Sequence, residues 1–556
     1  MNQSTQALSE SDKQKLFWAS FLALTAAGVG FVFRVMIPEM WSSSFQITMV
    51  DVGALTGAAL WPIAITMILF SLLVDKIGYK VSMFFAFALQ IASVVLTYLA
   101  TDVSSMWWAC LCAGLGHGVV EAVINPLCAS IYRDDKSKML NILHASWPAG
   151  IVLGGIAYLL MIDPSAETTN WDNVKWIFFI MLLPVLAYGV MFLMCTRFPV
   201  DERVEANVSM RDMLKEFGGL GVFLAATFIA YEFIGQIMGA GLFEIPEDTA
   251  GFIGDFKLYI CLGIGAVTGT IAGFIVGSPG KLLFFFLCLI MVPLATAELA
   301  TDAWIQTLMK PILAGDGADG ANLAGWAIVL SAGIMMTLRF FAGIPLKFMS
   351  PPALLLLSSL FSIAGLYAMS SVGGALIFGA FVLYAIGQTF YWPTMLGLVS
   401  EQFPKGGAMT LNTVSAMGLL TVGIFGFPFL GAVQDHYSTQ AVASVEADVF
   451  STVKAEGKMF KDMTNPDKPV EKPIYEKKNF FGVNYESVNT GEFSKLLDKE
   501  RQDVLDDQLK STSQSSLKVA AVLPMIMAVA FLLIIIYFAA TGGYKPVVLG
   551  EATKKG

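Results

Sequence analysis

Long apolar runs separated by short polar stretches dominate the chain. These runs lie near residues 16–38, 48–73, 80–100, 106–132, 139–162, 175–196, 217–243, 256–277, 281–305, 324–346, 351–369, 374–400, 408–432 and 517–541. An α-helix needs about 20 apolar residues to cross a bilayer, and the runs have roughly that length. Runs this continuous exclude the alternating pattern of membrane β-strands. The pattern therefore predicts an all-α polytopic membrane protein with fourteen transmembrane helices.

Composition supports a membrane protein and excludes several other classes. Of the residues 56% are hydrophobic and 14% are charged, whereas a soluble domain carries about 25% charged residues. The net charge of −9 comes without a basic stripe, so we expect no nucleic-acid partner. The cysteines lie inside apolar runs and lack metal-ligand spacing, which predicts packing residues and no cofactor or metal: Cys110, Cys112, Cys128, Cys195, Cys261 and Cys288.

The distribution of basic residues tests the helix count. If both termini are cytoplasmic, alternate loops should hold the lysines and arginines. The loops so assigned hold Lys13, Lys15, Lys76, Lys80, Arg133, Lys136, Lys138, Arg197, Arg203, Arg211, Lys215, Lys281, Lys347, Lys405, Lys545, Lys554 and Lys555. The opposite short loops hold Lys310, with Lys175 and Lys257 at their borders. We therefore predict a multi-pass protein of the plasma membrane (the inner membrane in a bacterium) with both termini cytoplasmic.

The runs and loops divide the chain into segments. One stretch, 433–516, mixes charges with prolines and falls on the non-cytoplasmic side; its end, Glu492 to Lys510, could form an amphipathic helix. Partner binding, a lid over a pathway and a dispensable insertion are all open for it. The predicted segments are a tail 1–15, an N-terminal six-helix half 16–196, a linker 197–216, an inserted helix pair 217–277, C-terminal helices 281–432, the insertion 433–516, the last helix 517–541 and a tail 542–556.

A weak internal repeat relates the two halves. Gly118 to Pro126 is followed by Leu140-Asn141, and Gly387 to Pro393 is followed by Leu411-Asn412. In both halves a proline lies within a helix, a basic turn follows, and Leu-Asn opens the next helix. Counting back from each proline places Glu121 opposite Gln388 and Asn125 opposite Trp392. The same position in each half favours duplication over chance.

The loop after the second helix carries a family resemblance. Ser71-Leu-Leu-Val-Asp75-Lys76-Ile-Gly78-Tyr-Lys80 resembles the loop motif of the major facilitator superfamily, with Ser71 in place of the usual glycine. Gly78 permits a tight turn, and Asp75 can face a helix N-terminus or an arginine. Arg339 opens a degenerate counterpart, Arg339 to Lys347, in the second half. The resemblance implies two pseudo-symmetric six-helix halves, with 217–277 inserted between them.

Further motifs resemble the fucose and glucose/galactose permease group of sugar porters. They are Glu121-x-x-x-Asn125-Pro126 with Leu140-Asn141, Arg34-Val-Met-Ile-Pro38, and Glu298-Leu-Ala-Thr-Asp302-Ala-Trp304. One departure matters, because the sugar porters have a proton-coupling acid where this chain has Arg34. Coupling then rests on Glu121 alone, or the substrate is anionic, or the protein is not proton-coupled.

Ionisable residues inside a membrane are costly and indicate a function or a partner. Glu121 lies near the middle of its run and is predicted to carry the proton, against a structural hydrogen bond to a neighbouring helix. Arg34 is either a substrate contact or a headgroup anchor. Arg339 and Glu298 are predicted as buried partners across the halves. Substrate binding is predicted for Glu121, Glu298 and Arg34 as well. It is also predicted, against structural or capping roles, for His144, Asn125, Asn141, Gln388, Asn412, Trp304 and Trp392.

The sequence thus predicts a monomeric secondary transporter and not an enzyme, with a small polar solute, protons and lipid as partners. A sugar moved by proton symport is the leading hypothesis, with rocking of the two halves about a midplane site. A fourteen-helix drug exporter, suggested by Pro148-Ala-Gly150 and Gly154-Gly155, an anion carrier using Arg34 and Arg339, and a sensor reporting through 433–516 are the alternatives.

Overall fold

The computed structural model of the chain describes residues 8–45, 49–162, 170–239, 247–301, 320–372, 376–462, 470–481 and 483–549. Within these residues fourteen helices are long and apolar enough to cross a membrane. The predicted helix count is therefore confirmed for the described part of the chain. Trp304, a predicted binding residue, lies outside the described residues.

The N-terminal half is built from six spans, some of them broken. Its helices are α1 (Glu10–Met36), α2 (Pro38–Phe45), α3 (Met49–Ala58), α4 (Trp61–Ile77), α5 (Tyr79–Leu99), α6 (Val103–Ile131), α7 (Lys136–His144), α8 (Ser146–Met161), α9 (Trp171–Val174) and α10 (Leu182–Met194). A 3₁₀ turn, Lys175–Met181, joins the last two helices. The short helix α11 (Glu202–Glu205) then leads to the inserted pair, α12 (Met210–Gly239) and α13 (Glu247–Val276).

The C-terminal half repeats the six-span plan. Its helices are α14 (Leu282–Ala295), α15 (Gly320–Phe340), α16 (Pro351–Met369), α17 (Leu376–Gln388), α18 (Tyr391–Gln402), α19 (Gly407–Thr421), α20 (Phe427–Val445), α21 (Ala447–Glu456), α22 (Thr490–Ser494), α23 (Lys499–Ala520) and α24 (Val522–Ala540). Two π-helical turns, Thr296–Ala300 and Val422–Gly426, extend α14 and join α19 to α20. 3₁₀ turns lie at Pro345–Lys347 and Pro404–Gly406.

Local sequence explains where several helices begin and end. The Ser9 side chain accepts a hydrogen bond from the Asp12 N–H at the start of α1, and Asp102 forms a capping box with Ser105 at the start of α6. Gly78 ends α4 and begins α5 at a φ of +83°, a backbone conformation that glycine adopts without steric cost. The predicted tight turn at Gly78 is therefore present.

Apolar side chains cover both the core and the outside of the bundle. Ala23, Leu24 and Phe33 of α1 are fully buried, whereas Leu160 of α8 and Phe274 of α13 are 73% and 83% exposed. In water such exposed apolar surface would be unfavourable, so it matches a surface that faces lipid. Helix α13 has the least buried span and lies at the periphery.

Three prolines remove donors from the helical hydrogen bonding, and two of them, Pro126 and Pro393, correspond in the repeat. Pro126 lies inside α6, Pro148 lies in the first turn of α8, and Pro393 lies in the first turn of α18. Proline has no N–H, so the carbonyl four residues earlier loses its helical donor. The carbonyls left in this way belong to Ala122, His144 and Thr389. Each is taken up by a side chain from another helix, as described below.

The inserted pair packs against the C-terminal half and also contacts the N-terminal half. Helix α12 packs on α13, α14 and α19, and Phe233 of α12 meets Trp61 of α4 edge to face at 6.2 Å. Gly218 has a φ of +59°, and a Cβ there would come within 2.1 Å of the Gly280 nitrogen. Gly218 forms a non-helical kink near the start of α12, and this close approach fixes the kink beside the segment that leads into α14.

A small folded unit projects from the end of the bundle opposite the chain termini, and we call residues 442–505 the appended domain. It contains two antiparallel hairpins, β1 (Met459–Asp462) with β2 (Val470–Pro473) and β3 (Tyr475–Phe480) with β4 (Val483–Val488). The boundary predicted at 433 falls inside α20, and the helix expected over 492–510 runs from Lys499 to Ala520. The core of the appended domain contains Val442, Phe450, Val453, Ile474, Val488, Phe493, Leu497 and Leu505.

The tip of the second hairpin returns to the membrane helices. Phe481 stacks on Tyr231 of α12 at 5.4 Å, and Phe480 lies 5.6 Å from Phe425 and 6.2 Å from Phe429. Lys478 also pairs with Asp435 at 3.1 Å. The appended domain is therefore attached to the inserted pair and to the helices that follow α19.

The halves pack together through a limited set of helices. The element pairs are α4 with α19, α6 with α19, α7 with α18, and α7 and α8 with α15. We call the end of the bundle where α1 begins and α24 ends the terminal face. Most of the polar contacts between the halves lie between this face and the middle of the bundle.

Candidate functional site

A network of polar side chains crosses the middle of the N-terminal half. Asn125 donates from Nδ2 to the Glu121 Oε2 at 2.7 Å, and the His144 Nε2 lies 2.9 Å from the Asn125 Oδ1. The His117 Nε2 lies 3.7 Å from the Glu121 Oε1. Glu121, Asn125 and His144 are buried. Residues 117, 121 and 125 share one face of α6 because four residues make about one helical turn.

Arg339 joins the two halves at the middle of the bundle. Its Nη1 donates to the His144 carbonyl at 2.9 Å, and its Nε donates to the Thr389 carbonyl at 2.7 Å. Pro148 and Pro393 leave these two carbonyls without helical donors. The guanidinium thus supplies the missing hydrogen bonds of one helix in each half.

Glu298 provides the counter-charge for Arg339. The Arg339 Nη2 donates to the Glu298 Oε1 at 2.6 Å, and the Trp392 backbone N–H donates to the Glu298 Oε2 at 2.9 Å. Both charged side chains are at most 3% exposed. The predicted pairing is present, but the two residues belong to the same half. The bond that crosses between halves is the one from Arg339 to the His144 carbonyl.

The two Leu-Asn repeats are equivalent in space as well as in sequence. Asn412 of α19 donates to the Ala122 carbonyl at 3.0 Å, which Pro126 leaves free, and to the Ser71 hydroxyl at 3.0 Å. Asn141 of α7 donates to the Thr394 hydroxyl at 3.1 Å. Each asparagine therefore crosses to the proline-containing helix of the opposite half. Both side chains reach across the interface between the halves, and Asn141 also donates to the Ser137 carbonyl of its own helix at 2.8 Å.

The remaining predicted binding residues lie beside this centre. Gln388 is buried and donates to the Ser331 hydroxyl at 3.1 Å. The Trp392 ring is 7% exposed, and a Cβ at Gly418 would come within 2.7 Å of it. Trp392 therefore packs closely against α19. Gln388 and Trp392 occupy the positions that the repeat places opposite Glu121 and Asn125.

Arg34 is buried inside the N-terminal half. It is 6% exposed, donates to the Gly30 carbonyl at 2.8 Å and to the Ser93 hydroxyl at 3.2 Å, and lies over the Phe178 ring at 5.5 Å. The anchoring interpretation was wrong because the side chain turns inward from α1. A residue count along the helix gives height in the bilayer and leaves that direction open.

The motif loop lies at the terminal face in a separate cluster. Asp75 pairs with the guanidinium of Arg203, and Asp201 accepts a hydrogen bond from the Arg203 N–H at 2.8 Å. Burial raises the pKa of Asp201 to about 6. Arg339, which the sequence groups with Asp75 and Gly78, does not join this cluster. Its long side chain instead fills the gap left by the two proline breaks.

At the terminal face, Glu401 of α18 forms hydrogen bonds with several separate segments of the chain. Its carboxylate accepts hydrogen bonds from the Ser137 hydroxyl of the other half and from the Tyr544 hydroxyl at 2.6 Å. The Val547 N–H donates to the Glu401 carbonyl at 2.8 Å. Nearby, Lys136 pairs with Glu202 at 2.7 Å. The segment that follows α24 is thereby tied to the place where α7 and α18 meet.

Sequence reasoning missed several members of these clusters. His117, Gln90, Thr394, Arg203 and Glu401 were not singled out as site residues. His117 could have been found from its spacing of four residues before Glu121. The Gly150, Gly154 and Gly155 series is accounted for by packing: a Cβ at these positions would meet α1 or α15 at 2.2–2.7 Å.

Comparisons with known proteins agree with this architecture. A family model described as the Major Facilitator Superfamily matches residues 16–309, more than half of the chain. No curated protein sequence matches. Among solved structures, the chain is similar to the proton:xylose symporter XylE of E. coli bound to 6-bromo-6-deoxy-D-glucose, with a TM-score of 0.53 and 15% identity, covering 76% of this chain and 90% of that one.

Two further solved structures share the fold. The transporter FucP of E. coli in the outward conformation has a TM-score of 0.51 and 14% identity, covering 76% of this chain and 92% of that one. The human organic anion transporter MFSD10 has a TM-score of 0.52 and 10% identity, covering 93% and 99%. At these identities the likeness establishes the fold alone.

Proposed function

The chain belongs to the Major Facilitator Superfamily, and we propose that it is a secondary active transporter that moves a small polar solute by alternating access with proton symport. The two halves would rock about the polar centre that contains Glu121, Asn125, His144, Arg339 and Glu298. Both termini would lie in the cytoplasm. The proton:xylose symporter among the similar structures makes a sugar-like, hydroxyl-rich solute the first class to test.

The observation that carries the proposal is the contrast between two buried carboxylates. Glu298 forms a buried ion pair with the Arg339 guanidinium at 2.6 Å, so its negative charge has a fixed cationic partner. The hydrogen-bonding and ion-pair partners of Glu121 in the described residues are an amide and an imidazole, and no lysine or arginine lies within 4.0 Å of it there. A carboxyl group without a fixed cation can be neutral or charged. Glu121 is therefore the proposed proton carrier, and Glu298 a structural acid.

Cross-half contacts support alternating access. Arg339, Asn141 and Asn412 each donate across the interface, and those bonds must break when the halves separate on the side of the terminal face. Because Pro126 and Pro148 leave the Ala122 and His144 carbonyls without helical donors, these acceptors can exchange a side-chain donor for water. The side-chain hydrogen bonds between the halves can therefore break while the helices keep their own backbone hydrogen bonds.

Transport by Glu121→Gln protein in proteoliposomes tests the proposal. The substrate is first found by counterflow of sugars, organic acids and nitrate. We expect wild-type uptake driven by a pH gradient to collapse with an uncoupler, and Glu121→Gln to lose accumulation while keeping exchange. Glu298→Gln is the matched control and should lose stability and exchange together. Uptake that is insensitive to uncoupler and unchanged in Glu121→Gln rules out the proton part.

A further inference from the structure

Arg34 is a buried cation that has no counter-charge among the residues that the structure describes. In the residues that the structure describes, its partners are the Gly30 carbonyl, the Ser93 hydroxyl, the Cys110 thiol and the Phe178 ring, and no carboxylate lies within 4.0 Å. A buried charge is costly unless it is paired and fully hydrogen-bonded. Glu298 supplies the opposite charge for Arg339, but no acid in the described part of the chain does so for Arg34. The position therefore calls for an anion that the described residues do not supply.

Two further donors face the same cavity. The Tyr188 hydroxyl donates to the Gln90 Oε1 at 2.8 Å, which turns the Gln90 amide nitrogen away from Tyr188. That nitrogen is buried and has no hydrogen-bond partner among the described residues, and the same holds for the His117 Nε2. The His117 ring is held by stacking on Trp147 at 5.0 Å. Arg34, Gln90 and His117 all line one cavity with Trp147.

The cavity has the size of a small anionic group. Its volume is about 30 Å³. On this measure one water molecule needs about 10–15 Å³, so about two oxygen-sized atoms fit. Arginine binds carboxylates through two parallel hydrogen bonds, and a carboxylate has two such oxygens. Phe31, Met181 and Trp147 form apolar walls next to the donors.

We propose that the transported solute carries a carboxylate and that this group binds between Arg34, Gln90 and His117. The inference rests on the proposed transport function and narrows its substrate class to organic acids, with hydroxylated acids such as sugar acids first. His117 connects this subsite with the proposed proton carrier, because its Nε2 lines the cavity and lies 3.7 Å from the Glu121 Oε1. Symport of one proton with one carboxylate moves no net charge.

Acetate is the probe that matches the subsite, and acetamide is its neutral isostere. The thermal unfolding of the purified full-length protein is measured against each, with ionic strength held constant with sulfate. We expect acetate to bind wild type at least tenfold more tightly than acetamide. Arg34→Gln should remove this preference, Arg34→Lys should retain part of it, and Gln90→Met should weaken acetate binding about tenfold.

Equal effects of acetate and acetamide on wild type would overturn the proposal, as would a preference for acetate that survives in Arg34→Gln. If Arg34→Gln does not fold, Gln90→Met decides, because it keeps the charge and removes one donor. A parallel counterflow comparison of D-glucuronate with D-glucose separates the two proposals. Uncoupler-sensitive, Glu121-dependent uptake of glucose without glucuronate leaves the transport function standing and rejects the carboxylate subsite.

Discussion

Replacement of Arg339 by methionine is the most informative perturbation of the fold. Methionine keeps much of the length and apolar bulk of the side chain but removes every donor. The Glu298 carboxylate then loses its guanidinium partner, and the His144 and Thr389 carbonyls lose donors that their own helices cannot replace. All these groups belong to residues that are buried in the middle of the bundle.

The expected cost follows from these contacts. Removal of one partner from a buried ion pair costs about 3–5 kcal/mol. Each buried carbonyl left unsatisfied adds about 1–3 kcal/mol, although partial hydration at the helix breaks reduces this. We therefore expect Arg339→Met to lower the free energy of unfolding by at least about 4 kcal/mol. The double variant Arg339→Met/Glu298→Gln should recover about 2 kcal/mol, because it also removes the unpaired charge.

Unfolding of the purified protein in mixed detergent micelles measures these differences. Arg133→Met is the matched control, since its partner Glu205 lies in an exposed ion pair at the terminal face. An exposed pair contributes about 0–1 kcal/mol, so this variant should stay close to wild type. A cost below about 1 kcal/mol for Arg339→Met, or a double variant less stable than the single one, would refute the reasoning.

Three further outcomes are expected at the terminal face and between the halves. Burial raises the pKa of Asp201 from 3.8 to about 6, so folding favours its protonated form. The free energy of unfolding should therefore fall by up to about 3 kcal/mol as pH rises from about 3 to about 7, and pH-dependent denaturation of Asp201→Asn should lack this slope. Asn412→Ala leaves the Ala122 carbonyl without its donor and should open the terminal face more often, seen as faster labelling of a cysteine introduced at position 130 of α6, which does not contact Asn412. Tyr544→Phe removes one bond to Glu401 and should lower the melting temperature by a few degrees at most, measured by scanning fluorimetry.

The spans, the repeat and one electrostatic pair could be predicted from the sequence because each depends on local or periodic information. Apolar length locates the helices, and the spacing of four residues makes Glu121 and Asn125 neighbours. The pairing of Arg339 with Glu298 followed from the rule that a charge in the bilayer needs a partner. The location of both residues in one half did not follow, because it depends on how two helices pack.

The hydrogen bonds around three prolines could be predicted from the sequence only in part. Pro126, Pro148 and Pro393 identify three free carbonyls from the sequence alone. The donors that satisfy them lie 50 to 290 residues away along the chain, so only the packed structure identifies them. The orientation of the Arg34 side chain could not be predicted either. Its height in the bilayer could be counted along the helix, but its inward direction depends on the space that Gly30 leaves for the guanidinium.

The appended domain is a suitable site for attaching antibody fragments and dyes to this protein. Phe480 and Phe481 attach it to α12 and to the helices after α19, so it should travel with the C-terminal half. An antibody fragment raised against the β3–β4 hairpin would then act as a fiducial marker for image alignment in electron cryomicroscopy. A dye placed on the same hairpin, with a second dye at the outer end of α8, would report the relative movement of the halves one molecule at a time.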